Sequence, residues 1–130
     1  MDLFIDTSAY TLLDKGHPEA GKALRSAKSV VLPVIVVGEL LYGFELGTIK
    51  EKNLRKLEQF ISSSRVHVVE VNYQTCERYA QLYAYLRRKG RPLPVNDIWL
   101  AALCWQHAGE LLTADRHFLD LPQLIVRHLV

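Results

Sequence analysis

Five short apolar runs, separated by helix-patterned segments, constrain the fold of this chain more than any other feature. They are Leu3-Phe4-Ile5, Val30-Val31-Leu32, Val66 to Val71, Leu111-Leu112-Thr113 and Leu124-Ile125-Val126. Each is too short for a helix and has no apolar–polar alternation, which is the pattern of a strand covered on both faces. No tight hairpin signal joins any two of them, and the intervening stretches are long enough for helical crossovers. The expectation is an α/β fold: three layers, α/β/α, around a central parallel sheet of about five short strands. At 130 residues, with no Gly-rich linker and no internal repeat, residues 1–130 read as one domain.

The helical segments can be placed in turn. Asp6-Thr7-Ser8 closes the first run and supplies capping residues for a helix to Leu13; Pro18 opens a second. Val37, Leu40, Leu41 and Phe44 follow helical spacing up to Gly47, and Leu54, Leu57 and Ile61 share a face over Glu51 to Ser62. Residues 74–89 form the clearest helix, with Tyr79, Leu82, Tyr83 and Leu86 as its inner stripe and Gly90 as its left-handed stop. On that spacing the two tyrosines read as packing rather than as platforms for bases. Asn96 or Asp97 opens a helix to about His107 that is apolar nearly all round, and so central.

Composition removes several classes. A hydrophobic fraction of 49% with 23% charged residues excludes disorder, collagen and coiled coil. Cys76 and Cys104 form no CxxC pair and read as small buried hydrophobes. The N-terminus lacks the basic and apolar regions of a signal peptide, and no run approaches a membrane span, so a cytoplasmic protein is expected.

In an open parallel sheet the binding crevice lies at the carboxyl ends of the strands. Asp6 follows the first run, Asp115 follows the fourth, Asp97 starts the apolar helix, and Glu39 lies among apolar neighbours in Val34 to Leu41. Singly, Asp6, Asp97 and Asp115 are explained as helix caps. Glu39 is harder to dismiss, because a lone carboxylate beside a core is costly unless paired or metal-bound. Gathered in one crevice, the four would raise one another's pKa and stay ionised most easily around a divalent cation. All-oxygen ligation suits Mg²⁺ or Mn²⁺; only His117 among the imidazoles lies nearby, which argues against zinc.

Four segments in order, Phe4-Ile5-Asp6-Thr7-Ser8, Val37-Gly38-Glu39-Leu40-Leu41-Tyr42-Gly43, Pro94-Val95-Asn96-Asp97-Ile98-Trp99-Leu100-Ala101-Ala102 and Leu111-Leu112-Thr113-Ala114-Asp115-Arg116-His117-Phe118, resemble the PIN-domain ribonucleases. More narrowly, they resemble the VapC-type toxins of prokaryotic toxin–antitoxin systems. The resemblance spans nearly the whole chain. It implies that Asp6, Glu39, Asp97 and Asp115 are the acidic quartet holding one or two Mg²⁺ or Mn²⁺ ions. It implies that Ser8 and Thr113 orient the acids and that Asn96 is a polar neighbour behind them. The implied reaction is hydrolysis of an RNA phosphodiester by a metal-activated water, and the implied partners are a VapB-like antitoxin and a second copy of the chain. Trp99 is a departure, since the family often has a smaller or aliphatic residue there.

Sixteen Lys and Arg against fourteen Asp and Glu give a net charge of only +2. If four of those acids share one pocket, the rest of the chain sets sixteen basic residues against ten acidic ones. Arg87, Arg88 and Arg91, next to the Pro-rich approach to Asp97, and Arg116, next to Asp115, are the candidate phosphate contacts. The cluster Lys50, Lys52, Arg55 and Lys56 reads as a solvated helix face. A phosphoacceptor receiver domain would need an Asp closing the third strand, where Glu70-Val71-Asn72 stands, and a haloacid-dehalogenase-type phosphatase a second Asp where Ser8 stands. The remaining alternatives are a catalytically silent PIN-like module that binds RNA or protein, and a PIN nuclease of RNA processing.

Overall fold

The computed structural model describes all residues from Met1 to Val130. Five strands, β1 (Leu3–Ile5), β2 (Val30–Pro33), β3 (Val66–Val69), β4 (Glu110–Thr113) and β5 (Ile125–His128), form one sheet in the order β3-β2-β1-β4-β5. Every pairing is parallel, with Phe4 of β1 in register with Val31 on one side and Leu111 on the other. The three inner strands are buried almost throughout, whereas β3 and β5 at the edges are only half-buried. The fifth strand extends to His128, beyond the expected 124–126.

Six helices connect the strands: α1 (Thr7–Asp14), α2 (Pro18–Ser26), α3 (Val34–Leu46), α4 (Lys50–Ser62), α5 (Tyr73–Lys89) and α6 (Val95–Gln106). A single 3-10 turn, Arg116–Asp120, follows β4. None of the helices is long and apolar enough to cross a membrane. α5 and α6 run antiparallel, with Thr75 Oγ1 donating to Gln106 Oε1 (2.5 Å) at one end and Leu86 near Ile98 at the other. Gly90 ends α5 at φ +65°, the left-handed conformation that glycine adopts without a Cβ penalty.

The chain lays β1, β2 and β3 outward in one direction and then returns to place β4 on the other side of β1. The reversal lies between β1 and β4, and a crevice opens at the carboxyl ends of strands at such a point. Asp6 and Asp115 follow those two strands.

Three expectations about faces do not hold. Cys76 is exposed, and only Cys104 is a buried small hydrophobe. Leu41 is exposed while Leu40 is buried, because α3 is apolar all round and its sequence does not mark the inner side. On α5 the buried stripe is Thr75, Leu82 and Leu86, leaving Tyr83 39% exposed at its edge.

Candidate active site

Asp6 is 6% exposed and caps α1: Ala9 N–H donates to its Oδ1 at 2.8 Å. The cap does not exhaust the carboxylate. Ser8 Oγ donates to the same oxygen (2.7 Å), and Thr113 Oγ1, at the end of β4, donates to Oδ2 (2.5 Å). A carboxylate offers about four lone-pair sites, so three donors leave one on Oδ2. Burial pushes the Asp6 carboxyl up, these three hydrogen bonds oppose that, and nearby Asp115 adds to the rise.

The same hydroxyls tie the two strand ends together. Ser8 Oγ accepts from Ala114 N (3.0 Å), and Thr113 Oγ1 accepts from Asp115 N (2.9 Å). Asp115 in turn caps the 3-10 turn through His117 N (2.9 Å), and His117 Nδ1 lies 2.7 Å from the same Oδ1. Asp115 Oδ2 makes no hydrogen bond within the protein.

Asp97 is not a cap. Pro94 occupies the N-cap of α6, no side chain caps the helix, and Asp97 stands in its first turn. Its carboxylate accepts no hydrogen bond from the protein. Burial, reinforced by the charges of Glu39, Asp115 and Asp6 and eased by His117, pushes its pKa from 3.8 to about 6. Glu39, Asp115 and Asp6 all act on Asp97 as like charges, so the four acids are neighbours.

Glu39, midway along α3, is oriented by a residue the sequence reading passed over. Thr7 Oγ1 donates to Glu39 Oε1 at 2.7 Å. Thr7 stands between Asp6 and Ser8, so one tripeptide fixes the acid of α3 and joins β1 to β4. The available signal was a third hydroxyl beside Asp6 at the first position of a helix. Asn96, expected behind the acids, is exposed and hydrogen-bonds to none of them.

Arg116 directly follows Asp115 and is exposed. Arg87 and Arg88 are exposed in the last turn of α5, and Arg91 Nη1 pairs with Asp120 at 3.3 Å, which bridges the 90–94 loop to the 3-10 turn. In the 50–56 cluster, Lys50 pairs with Glu45 (2.6 Å) and Lys56 with Asp14 (3.2 Å), in keeping with a solvated face.

No three His, Cys, Asp or Glu side chains close around one point as a ready-made metal cage. The donor set nonetheless fits a hard cation that keeps much of its water, since Mg²⁺ is held by one or two carboxylates rather than by an all-protein shell. Both oxygens of Asp97, Asp115 Oδ2, Glu39 Oε2 and one lone pair of Asp6 remain open, and all are oxygen donors.

A five-stranded parallel sheet whose order reverses between β1 and β4, with Asp6 and Asp115 just after those strands, defines an α/β class with its crevice at that point. The PIN domain model matches residues 3–124. Ribonuclease VapC1 of Haemophilus influenzae is 30% identical over 87% of this chain and 86% of its own. VapBC-1 from nontypeable Haemophilus influenzae superposes with a TM-score of 0.85 at 26% identity, covering 98% of each chain. Rickettsia felis VapBC2, bound to a DNA fragment from its promoter, superposes at 0.90 over 100% of each chain and, at 24% identity, shares the fold. The chain belongs to the PIN-domain family, among the VapC ribonucleases.

Proposed function

We propose that this protein is a Mg²⁺- or Mn²⁺-dependent endoribonuclease toxin of the VapC kind, restrained by a VapB-like antitoxin. The observation that supports the reading is that Asp6 and Asp115 follow β1 and β4 on either side of the switch point, while Glu39, Asp115 and Asp6 all act on Asp97 as like charges. A catalytically silent module would have no need of all four, because each added carboxylate destabilises its neighbours. A divalent cation bound there lowers the pKa of water and neutralises charge on a phosphoryl group.

The side chains have distinct parts in this reading. Asp6 is immobilised by Ala9, Ser8 and Thr113 and presents a single open lone pair. Asp97 accepts no hydrogen bond and is pushed up by burial and its acidic neighbours, so a bound cation would favour its charged form. Thr7 holds Glu39 Oε1 by a hydrogen bond, and Oε2 is left to a cation. Arg116 and the Arg87, Arg88 and Arg91 group attract the RNA backbone toward an otherwise acidic opening. A VapB-like partner is supported by the VapBC complexes of similar proteins, and a homodimer is part of the same proposal.

Purified protein is expected to cleave RNA in Mg²⁺ or Mn²⁺ and to stop in excess EDTA. Cleavage that persists in EDTA would overturn the proposal. Replacing Arg87, Arg88 and Arg91 together with Ala is expected to weaken RNA binding and to lower the slope of log affinity against log salt by up to about 2 to 3, the value for three phosphate contacts. An unchanged slope, measured by fluorescence anisotropy, would remove those residues from the interface.

A further inference from the structure

A groove of about 310 Å³ lies between the C-terminal end of α5, the 90–94 loop and the start of α6. Its floor is apolar, from Leu86, Leu93 and Ile98; Arg87 and Arg91 stand at its rim, and Tyr83 forms a wall. The position is informative. α5 and α6 are antiparallel, so this end of the pair is the end that carries Asp97. Arg91 also pairs with Asp120, in the turn capped by Asp115, so the groove borders the acidic mouth.

The aromatic wall is held from below. Trp99 stacks face to face on Tyr79, with ring centroids 3.8 Å apart and planes 12° apart. Tyr79 then meets Tyr83 edge-on at 5.6 Å. The three rings form a ladder that starts at α6, two residues beyond Asp97, and ends in the partly exposed ring of Tyr83. This corrects the reading of the tyrosines from their spacing: Tyr79 packs, but Tyr83 presents a rigid aromatic edge to a groove. It also gives the departure at Trp99 a structural part.

We propose that this groove seats one unstacked base of a single-stranded RNA, beside the phosphate that the acids act on; the proposal rests on the nuclease reading above. Charge and shape favour that occupant. An apolar floor with an aromatic wall suits the face of a base, and arginines at the rim suit the phosphates on either side. Arg87 is explained as well by the C-terminal dipole of α5, but Arg91 lies beyond the helix end and is not.

The test is binding, measured by anisotropy, of a labelled single-stranded RNA and of the same RNA with one abasic residue moved through every position. It is made in the Asp97→Asn background, where cleavage does not intervene. With Tyr83 present, affinity is expected to fall about tenfold at one abasic position, the size of one lost base–aromatic stack. Tyr83→Leu is expected to lose about tenfold on the intact RNA and nothing further on that abasic RNA, whereas Tyr83→Phe binds as its parent does. Should Tyr83→Leu not fold, Tyr83→Met, which keeps an unbranched apolar side chain at this partly exposed position, must give the same pattern. Equal binding of all RNAs by Tyr83→Leu and its parent overturns the proposal. So do losses that multiply at every position, or weakened antitoxin binding with RNA binding intact. Loss of the nuclease reading alone would show instead as wild-type protein that never cleaves, with the binding comparison still deciding the groove.

Discussion

Asp97→Asn is expected to lose RNA cleavage by roughly three orders of magnitude, the scale on which a charged group at a reacting centre contributes, while making the metal-free protein more stable at neutral pH. The two effects have one cause. Asp97 is half-buried and accepts no hydrogen bond, and its burial, reinforced by the charges of Glu39, Asp115 and Asp6, pushes its pKa from 3.8 to about 6. A carboxyl whose folded-state pKa is raised binds its proton more tightly in the folded chain than in the unfolded one. It therefore adds no penalty below the unfolded value, and it costs stability as pH rises through the folded value. The full shift would correspond to nearly 3 kcal/mol, and solvent at a half-exposed site reduces this to about 1–2 kcal/mol. In EDTA, the stability of the wild type relative to Asp97→Asn should fall between about pH 4 and pH 6 and then level off. Above that window the variant should melt several degrees higher, at about 2–4 °C per kcal/mol or somewhat more for a chain of this size. Added Mg²⁺ or Mn²⁺ should raise the wild-type melting temperature more than that of the variant. A variant that cleaves as well as wild type, or that melts lower in EDTA at pH 7, would contradict the assignment.

Gly109→Ala is expected to destabilise the fold by about 3 kcal/mol, the upper range of forced overpacking, and so to lower the melting temperature by roughly 10 °C. A Cβ at Gly109 would lie 2.4 Å from Phe4 Cδ1 and 2.5 Å from Cε1. Phe4 is fully buried in the central strand and its ring stacks near His107, so it has no easy way to withdraw. Relief requires β1 to shift against β4, and those are the strands that carry Asp6 and Asp115 to the mouth. Cleavage per folded molecule should fall with stability for that reason. Thermal melting beside Ala101→Gly, a helix change elsewhere in the core expected to cost about 1 kcal/mol, separates the close approach from general weakening. Equal losses in the two variants would refute the argument from Phe4.

The short buried strands were legible because apolar runs of three or four residues leave little other choice, and so was the parallel sheet they form. The acids were legible because strand ends point to a crevice, but their duties were not separable. Asp6 is both the cap of α1 and a member of the site, since a carboxylate has more lone pairs than a cap consumes. Asp97 had been equally open to a capping role, and only the placement of Pro94 at the N-cap leaves it free. Thr7 was missed because its partner, Glu39, is remote in sequence and no local pattern records the pair. Tyr83 and Cys76 were misplaced because α5 buries Thr75, Leu82 and Leu86, a stripe that includes a polar residue and so shifts the inner face away from the aromatic spacing. Thr75 is buried at no polar cost because Asn72 and Gln106 satisfy its hydroxyl.

The product ends of RNA cleaved by the wild-type protein in Mn²⁺ test the central account most directly. Hydrolysis at a site of four carboxylates around a divalent cation, with no side-chain nucleophile and no use of the ribose hydroxyl, leaves 5′-phosphate and 3′-hydroxyl termini. End-group analysis is expected to find those termini and to find no product when EDTA is present. Termini bearing 2′,3′-cyclic phosphate, formed with or without the metal, would contradict it.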